Sequence, residues 1–137
     1  MREDLEQSCL YTEEYINMHL ELGEKIQKPV VVEEFGMPRD DMNFRKVSPV
    51  ECRDIYYTYV FDLIVKSREK SGPFAGCNFW SWGGYAKTNV EDHGYWAKGD
   101  DYTGDPAQEQ QGLNSIFVED ESTMRIIRET NKKLGNL

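Results

Sequence analysis

Residues 28–36, KPVVVEEFG, decide the fold. The three consecutive valines form a short β-branched run, which is typical of a strand covered on both faces, as in a parallel sheet. The run stops at two adjacent carboxylates, Glu33 and Glu34, just before Phe35 and Gly36. Such a pair is either a solvated turn or a set of working groups held at the rim of a sheet.

Helical patterns lie on both sides of this stretch. Apolar residues recur at three- and four-residue steps from residue 2 to about 26, which predicts a first helix with His19 on or near its apolar stripe. We expect His19 to be a hydrogen-bonded structural residue. The SPVE sequence that begins at Ser48 predicts a second helix, with that serine as its N-cap and Gly72 as the C′ glycine that ends it.

The rest of the chain predicts one more strand, a long loop and a last helix. PFAGCNFWSWGG contains a second apolar strand over residues 74–82, which we also expect to be buried. Residues 83–112 carry almost no periodicity but are too aromatic for a plain disordered linker, so we expect a functional loop. A last helix is expected after Asp120 or Ser122, with Gly135 at its end. Its inward-facing residues are expected to be Met124, Ile127 and Leu134.

The order of these elements predicts the fold class. Helix, strand, helix, strand, long loop and helix in succession are typical of βα units, so the chain is predicted to be α/β with a parallel sheet. Two strands do not make a stable parallel sheet, and each would have an unpaired edge. We therefore expect the 137-residue chain to be one partial domain that self-associates or assembles with a complementary chain.

Composition argues against several classes of function. A formal net charge of −9 disfavours nucleic acid or an anionic membrane as a partner, whereas a neutral substrate is indifferent to it. No stretch is apolar and long enough to span a bilayer, and the charged N-terminus does not resemble a signal peptide. Cys9, Cys52 and Cys77 are spaced for neither a metal site nor a disulfide framework and are expected to be buried thiols. His19 and His93 lie in separate segments, so no metal site is predicted.

Strand alternation separates the two carboxylates. In the first strand Val30, Val32 and Glu34 share one face, and Val31 and Glu33 share the other. The second strand has two chemically different faces: Gly76, Asn78, Trp80 and Trp82 lie opposite Ala75, Cys77 and Phe79. The small apolar face suits contact with covering helices, and the other face suits a barrel interior that opens onto a site. By this interpretation one carboxylate and one large indole face the same cavity.

A carboxylate beside an aromatic platform suits carbohydrate chemistry. In parallel sheets, working residues sit at the carboxyl ends of strands. Sugars stack their apolar CH faces on indole rings, and a carboxylate can attack or stabilise a cationic anomeric carbon. An acidic strand end is also often a solvated turn or an ion pair, and a buried tryptophan often belongs to the core, so the residues alone leave both interpretations open.

The ordered set of motifs resembles a known family. KPVVVEEFG, FAGCNFWSWGG, the loop sequence YWAKGDDYTGDPAQEQQGLNSIF and the terminal STMRIIRE helix closely resemble the C-terminal part of glycoside hydrolase family five, in its endo-β-1,4-mannanase branch. The resemblance implies the C-terminal portion of a (β/α)8 TIM barrel, with strands seven and eight and their flanking helices in residues 1–137. It also implies a retaining hydrolase of mannan or mannooligosaccharides without a cofactor. A secreted or periplasmic location is implied, with any signal in the part that precedes this segment.

The same resemblance gives roles to individual residues. Glu34, immediately before the Phe-Gly pair, falls on the family's nucleophile, and Trp80 falls on its sugar-stacking tryptophan. Trp82 and Trp96 are expected to contribute to substrate binding. Glu33 is expected to point towards the helix layer and to support the site without touching the substrate, which requires a cationic or hydrogen-bonding partner.

One catalytic group of the family is missing from this sequence. The family's general acid/base is a glutamate preceded by asparagine, and no Asn-Glu dipeptide occurs in the chain. A complete barrel needs about 250 residues, and retaining hydrolysis needs two carboxyl groups about 5–5.5 Å apart. We therefore expect the chain to be inactive without the N-terminal half of the barrel. The alternatives are another sugar specificity, as in a β-glucanase or an exo-acting mannosidase, and a non-catalytic sugar-binding or structural remnant.

Overall fold

The chain alternates helices and strands in the predicted order. The computed structural model describes residues 2–88 and 94–137. Its elements are α1 (Arg2–Ile26), β1 (Val30–Phe35), a 3₁₀ turn (Asp40–Met42), α2 (Glu51–Glu69), β2 (Phe74–Phe79), β3 (Trp82–Gly84), β4 (Ile116–Phe117) and α3 (Glu121–Leu134). Strand β1 pairs in parallel with β2, and β3 pairs in parallel with β4. The α/β class is confirmed, as two short parallel sheets without a closed barrel among the described residues.

The hydrophobic core lies between the helices and one face of the β1–β2 sheet. Helix α2 contributes more core residues than any other element, because its apolar residues recur at three- and four-residue steps. The fully or nearly fully buried side chains include Ile16, Tyr57, Val60, Ile64 and Phe74. Helix α3 adds the three partly buried residues predicted for its inner face, Met124, Ile127 and Leu134.

The two strands are less covered than the sequence predicts. On β1, Val32 packs against the core and Phe35 is buried, but Val31 is 46% exposed. On β2, Cys77 and Phe79 pack against the core, which confirms that the small apolar face meets the helices. The expectation that both faces are buried is wrong for the described residues, because the helices cover one face only.

Residues 74–82 do not form one continuous strand. Strand β2 ends at Phe79, and the Trp80–Ser81 peptide bond that follows is cis. The chain then enters β3, which pairs with β4 rather than with β1. The predicted second strand is therefore two strands that belong to two sheets.

Helix α2 starts differently from the predicted capping pattern. It begins at Glu51, and its N-cap position is Val50 rather than Ser48. The carboxylate of Asp40, in the 3₁₀ turn, accepts hydrogen bonds from the backbone N–H groups of Glu51 and Cys52, both at 3.0 Å. A loop carboxylate thus satisfies the free donors of the helix and suits the positive end of its dipole.

The helix ends follow the predicted pattern more closely. After α2, Ser71 adopts the left-handed conformation with φ 55°, and the N–H of Gly72 donates to the Ser67 carbonyl at 2.8 Å. The left-handed C′ position predicted for Gly72 is therefore occupied by Ser71, and Gly72 closes the helix one residue later. Asp120 occupies the N-cap of α3 and Gly135 its C-cap, as expected.

The cysteines and the first histidine are mostly structural. Cys9 and Cys52 are buried thiols outside any disulfide bond, as predicted, whereas Cys77 is only partly buried. The Nδ1 atom of His19 donates to the Tyr15 carbonyl at 2.8 Å, which confirms a hydrogen-bonded histidine. His93 lies outside the described residues. In the described part of the chain, no helix is both long and apolar enough to traverse a membrane.

Candidate active site at the strand ends

Parallel pairing brings the ends of β1 and β2 together at one edge of the sheet. Phe35 is paired with Phe79 in the ladder. Beyond that pair, the N–H of Trp80 donates to the Phe35 carbonyl at 2.7 Å. Glu34, which precedes Phe35, and Trp80 therefore lie on adjacent chain segments at the carboxyl ends of neighbouring strands.

Glu34 occupies an irregular position in its strand. Its φ is 54°, in the left-handed region, and the register shifts between Glu33 and Phe35. Strict alternation would place Glu34 on the face of Val32, which packs on the core, so alternation selects the wrong face for it. The bulge turns the carboxylate away, and Glu34 is exposed. A non-glycine residue in this conformation is uncommon and often belongs to a functional site.

Glu33 does not point towards the helix layer, so that prediction is wrong. It is exposed, and its Oε2 atom accepts a hydrogen bond of 2.7 Å from the Nδ2 atom of Asn78. This contact lies on the open face of the sheet, opposite Val32 and Cys77. The hydrogen-bonding partner that Glu33 requires is therefore present, but on the other face. Burial, with a smaller effect of the Glu33 charge, raises the pKa of Cys77 to about 12, so that thiol stays protonated at neutral pH.

The Phe-Gly pair after Glu34 fixes the end of the strand. Phe35 is buried, and its ring centroid lies 5.0 to 6.2 Å from three aromatic rings of α2, those of Tyr56, Tyr57 and Phe61. A β-carbon at Gly36 would lie 2.4 Å from the carbonyl oxygen of Trp80. Only glycine allows this close approach between the two strand ends.

The three tryptophans have different surroundings. Trp80 is half-buried at the edge shared with Glu34, and Trp82 in β3 is 49% exposed. Trp96 belongs to the following loop, where it stacks on Tyr102 with ring centroids 5.2 Å apart and planes at 11°. The structure thus brings Trp80 to Glu34, while Trp96 is part of a separate aromatic pair.

The long loop is ordered by two side chains in its GDPAQEQQG segment. Asp105 is buried, and its carboxylate accepts hydrogen bonds from the N–H groups of Gly112 at 2.8 Å and Asn114 at 2.9 Å, and from the Ser115 hydroxyl. The side-chain amide of Gln111 donates to three loop carbonyls, those of Asp105, Pro106 and Glu109. Apart from a β-bridge between Tyr95 and Gln110, side-chain hydrogen bonds thus replace regular secondary structure in residues 94–112.

Sequence reasoning missed two fully buried arginines beneath this loop. The Oδ2 atom of Asp120 lies 2.7 Å from the Nη2 atom of Arg39 and 3.6 Å from the Nη1 atom of Arg53. The two guanidinium groups also donate hydrogen bonds to six backbone carbonyls. Those of Arg39 go to Lys46, Ser48 and Gly112. Those of Arg53 go to Met37, Leu113 and Ser115. Arg53 falls on the buried stripe of α2 with Tyr57, a signal that was available. Arg39 lies in a loop without periodicity.

The site therefore offers an exposed carboxylate, held in a strained backbone position, and a half-buried tryptophan on the adjacent strand end. These groups suit a reaction at a sugar carbon. Within residues 2–88 and 94–137, no group of three or more His, Cys, Asp and Glu residues is placed to hold a metal ion.

Similarity to known proteins extends over the whole chain. Residues 1–137 match the glycoside hydrolase family 5 β-mannosidase-like family. Mannan endo-1,4-beta-mannosidase 3 of Arabidopsis thaliana is 29% identical over 122 residues, which are 88% of this chain and 24% of that protein. Mannan endo-1,4-beta-mannosidase 2 of Oryza sativa subsp. japonica is 24% identical over 132 residues, 96% of this chain and 24% of the relative.

Solved structures also match nearly the whole of this chain but only part of their own length. The crystal structure of a glycoside hydrolase family 5 mannosidase from Rhizomucor miehei superposes with a TM-score of 0.83 at 28% identity, over 96% of this chain and 32% of that one. A variant of that enzyme in complex with mannosyl-fructose gives a TM-score of 0.81 at 26% identity. The chain thus spans about a quarter of these curated relatives and about a third of the solved enzyme. By its whole-length match, the chain belongs to the β-mannosidase-like proteins of glycoside hydrolase family 5.

Proposed function

We propose that this chain is the C-terminal, nucleophile-bearing segment of a retaining endo-β-1,4-mannanase. The observation that supports it best is the exposed Glu34 carboxylate, turned out of β1 by its bulge and adjacent to Trp80. The relatives from Arabidopsis thaliana and Oryza sativa are named as mannan endo-1,4-beta-mannosidases. Mannan is neutral, so the net charge of −9 does not oppose its approach.

Each proposed site residue has a distinct task. Glu34 attacks the anomeric carbon as the glycosidic bond breaks, and the leaving oxygen takes a proton from an acid/base outside this chain. Water, deprotonated by the same group, then hydrolyses the covalent glycosyl-enzyme with net retention. Trp80 stacks on an apolar face of the sugar, and Trp82 and Trp96 extend the aromatic surface available to a longer substrate. Glu33 does not touch the substrate. It stabilises the strand end through its hydrogen bond to Asn78.

The second carboxyl group comes from outside this chain in our proposal. Retaining hydrolysis needs an acid/base about 5–5.5 Å from the nucleophile, and the chain spans only about a third of the solved mannosidase. The surface that the remaining barrel elements would cover includes the outer stripe of α1, five exposed apolar residues at three- and four-residue steps, Tyr11, Tyr15, Met18, Leu22 and Ile26. Without those elements, we expect this surface to drive self-association.

The first test compares the chain alone with the chain assembled with an N-terminal barrel segment that carries the Asn-Glu acid/base. We expect no mannan hydrolysis above background from the chain alone and measurable release of reducing ends from the assembly. Glu34→Ala should lower turnover by the assembly at least about a thousandfold, because the covalent route is lost. An assembly with active Glu34→Ala would overturn the assignment.

Azide gives a sharper readout of the same residue. In Glu34→Ala, azide can enter the space of the lost carboxylate and attack a dinitrophenyl β-mannoside, whose leaving group needs no protonation. This single displacement yields the α-mannosyl azide. Glu33→Ala is the matched control, since it removes the neighbouring carboxylate, and it should form no α-azide. The α-azide appearing with Glu33→Ala instead would make Glu33 the nucleophile.

An exo-acting β-mannosidase is the second candidate, because the matched family is described as β-mannosidase-like. The products of the active assembly separate the two: endo-cleavage lowers the viscosity of mannan early, and exo-cleavage releases mannose from chain ends. Hydrolysis of β-glucan without hydrolysis of mannan would identify a β-glucanase. Tryptophan quenching by mannooligosaccharide without any turnover would identify a non-catalytic sugar-binding protein.

A further inference from the structure

Tyr57 of α2 lies beneath both strand ends of the proposed site. Its side chain is fully buried. Its ring centroid is 5.0 Å from that of Phe35, which follows Glu34, and 5.9 Å from that of Phe79, which precedes Trp80. One side chain of the helix layer thus contacts the immediate neighbours of both proposed substrate-facing residues.

The hydroxyl of Tyr57 makes a directed contact with the same segment. It donates a hydrogen bond to the carbonyl oxygen of Trp80 at 3.3 Å. A buried tyrosine hydroxyl needs such a partner, and no buried side-chain nitrogen or oxygen in the described residues lacks one. Burial raises the pKa of Tyr57, so its hydroxyl remains a donor throughout the neutral range.

The backbone of Trp80 also determines where β1 ends. Its N–H donates to the Phe35 carbonyl at 2.7 Å, and its carbonyl oxygen lies where a β-carbon of Gly36 would come within 2.4 Å. Phe35 and Gly36, the two residues after Glu34, therefore contact the backbone N–H and the backbone carbonyl of Trp80, respectively. A displacement of the Trp80 carbonyl would be transmitted to the strand end that carries Glu34.

We infer that Tyr57 is a positioning residue of the glycosidase site, whose hydroxyl holds the Trp80 backbone and thereby sets the Trp80 indole relative to the Glu34 carboxylate. The inference rests on the proposed function, which assigns these two residues to the substrate. Tyr57 itself lies beneath the site and acts through Trp80 and Phe35. Small misplacements of reacting groups are costly, because catalysis depends on a near-attack geometry.

Tyr57→Phe tests the hydroxyl alone, since it keeps the ring and its packing against Phe35 and Phe79. Tyr56→Phe is the matched control. Tyr56 is the adjacent buried tyrosine, and its hydroxyl is hydrogen-bonded at 2.8 Å to Thr12 of α1 rather than to the strand ends. Both variants lose one buried hydrogen bond, so we expect similar losses of thermal stability. Only Tyr57→Phe should disturb the site.

The first readout is spectroscopic and uses the 137-residue chain. Each variant is also made with Trp80→Phe. Subtracting the emission of that version from that of its parent gives the fluorescence of Trp80 and its quenching by acrylamide. We expect Tyr57→Phe to increase the quenching of Trp80 and Tyr56→Phe to leave it unchanged. Equal quenching of Trp80 in the two variants would overturn the inference.

The second readout is kinetic and uses the active assembly. We expect Tyr57→Phe to lower kcat/KM for mannooligosaccharides about tenfold, with a fall in kcat as well as a rise in KM, and Tyr56→Phe to change it less than about twofold. If the two variants have identical kcat and KM values and Glu34→Ala is inactive, the role of Tyr57 is contradicted but the proposed function is not. An active Glu34→Ala contradicts the proposed function itself.

Discussion

Asp105 shows how a single side chain can order a loop that has little regular structure. Its carboxylate accepts hydrogen bonds from two backbone N–H groups and from the Ser115 hydroxyl, all within ten residues along the chain. Because the carboxylate is buried, each of these bonds forms away from competing water. Asp105 therefore holds the part of the loop around Gly112, Asn114 and Ser115, beside β3 and β4.

Asp105→Asn should lower the free energy of unfolding by about 2–3 kcal/mol, since an amide nitrogen would face N–H donors and leave them unsatisfied. Urea unfolding followed by tryptophan fluorescence measures the change. Asp100→Asn is the control, because among the described residues its carboxylate accepts a hydrogen bond from Ala97 N–H, in an exposed turn. We expect it to cost less than about 1 kcal/mol. Equal losses in the two variants would contradict the special role of Asp105.

The family resemblance proposes which residues form the site, but strand alternation does not predict their geometry. The Glu-Phe-Gly motif singles out Glu34, and the structure explains the glycine by the close approach of Gly36 to Trp80. Alternation along the strand fails at Glu34 because a bulge, which no period-two pattern contains, lies at that residue. Glu33 was misplaced for another reason. Because the face of Val32 and Glu34 was assigned to the cavity, Glu33 was assigned to the helix layer, whereas Val32 packs on the core and Glu33 bonds to Asn78 on the open face.

At the level of elements, α1 is unusual because it has two apolar faces. One face packs on the core through Leu5, Cys9 and Ile16. The other is the outer stripe, whose residues are half or more exposed. A helix with an exposed apolar stripe usually has a partner in its functional state, which is consistent with the chain spanning about a third of the solved mannosidase.

Leu22→Gln should weaken self-association of the isolated chain by removing an apolar side chain from the middle of the outer stripe. Sedimentation velocity at increasing protein concentration measures the effect, and we expect the apparent dissociation constant to rise about tenfold. Leu10→Gln is the matched control, because Leu10 is equally exposed, 50%, but lies off the stripe. A compact monomer of the unchanged chain at all concentrations would contradict the expectation.

Elements with local signals were predicted well. The bounds of α1 and α3 follow from apolar periodicity and end signals, which involve neighbours a few residues apart. The predicted start of α2 was wrong because its first N–H groups bond to the carboxylate of Asp40, eleven residues before Glu51. Strands β3 and β4 were missed because they have only three and two residues, too few to show a strand pattern in the sequence.

For the molecule as a whole, we expect stability to fall in alkali. Burial raises the pKa of Cys77 to about 12 and also raises the pKa of Cys9 and Tyr56. These groups are neutral when protonated and have folded-state pKa values above their ordinary values. Their contribution to stability is therefore complete below about pH 9 and is lost as the pH rises towards 12.

The measurement is the urea concentration at the unfolding midpoint, compared at about pH 8 and about pH 10.5. Between the unfolded-state and folded-state pKa values of a group, that group lowers the free energy of unfolding by up to about 1.4 kcal/mol per pH unit. The midpoint should be lower at the higher pH. Cys77→Ala removes one of the titrating groups and should reduce the difference between the two midpoints. Equal midpoints for the unchanged chain would refute this expectation.

Arg39 has a further consequence, for the order of events in folding. Its guanidinium group bonds to Gly112 and Asp120, which are 73 and 81 positions away. Contacts at such separations form only after the intervening chain has been closed at an entropic cost, whereas helical hydrogen bonds are local. We therefore expect α1, α2 and α3 to form early and the loops around the strand ends to become fixed late, when Arg39 meets Asp120.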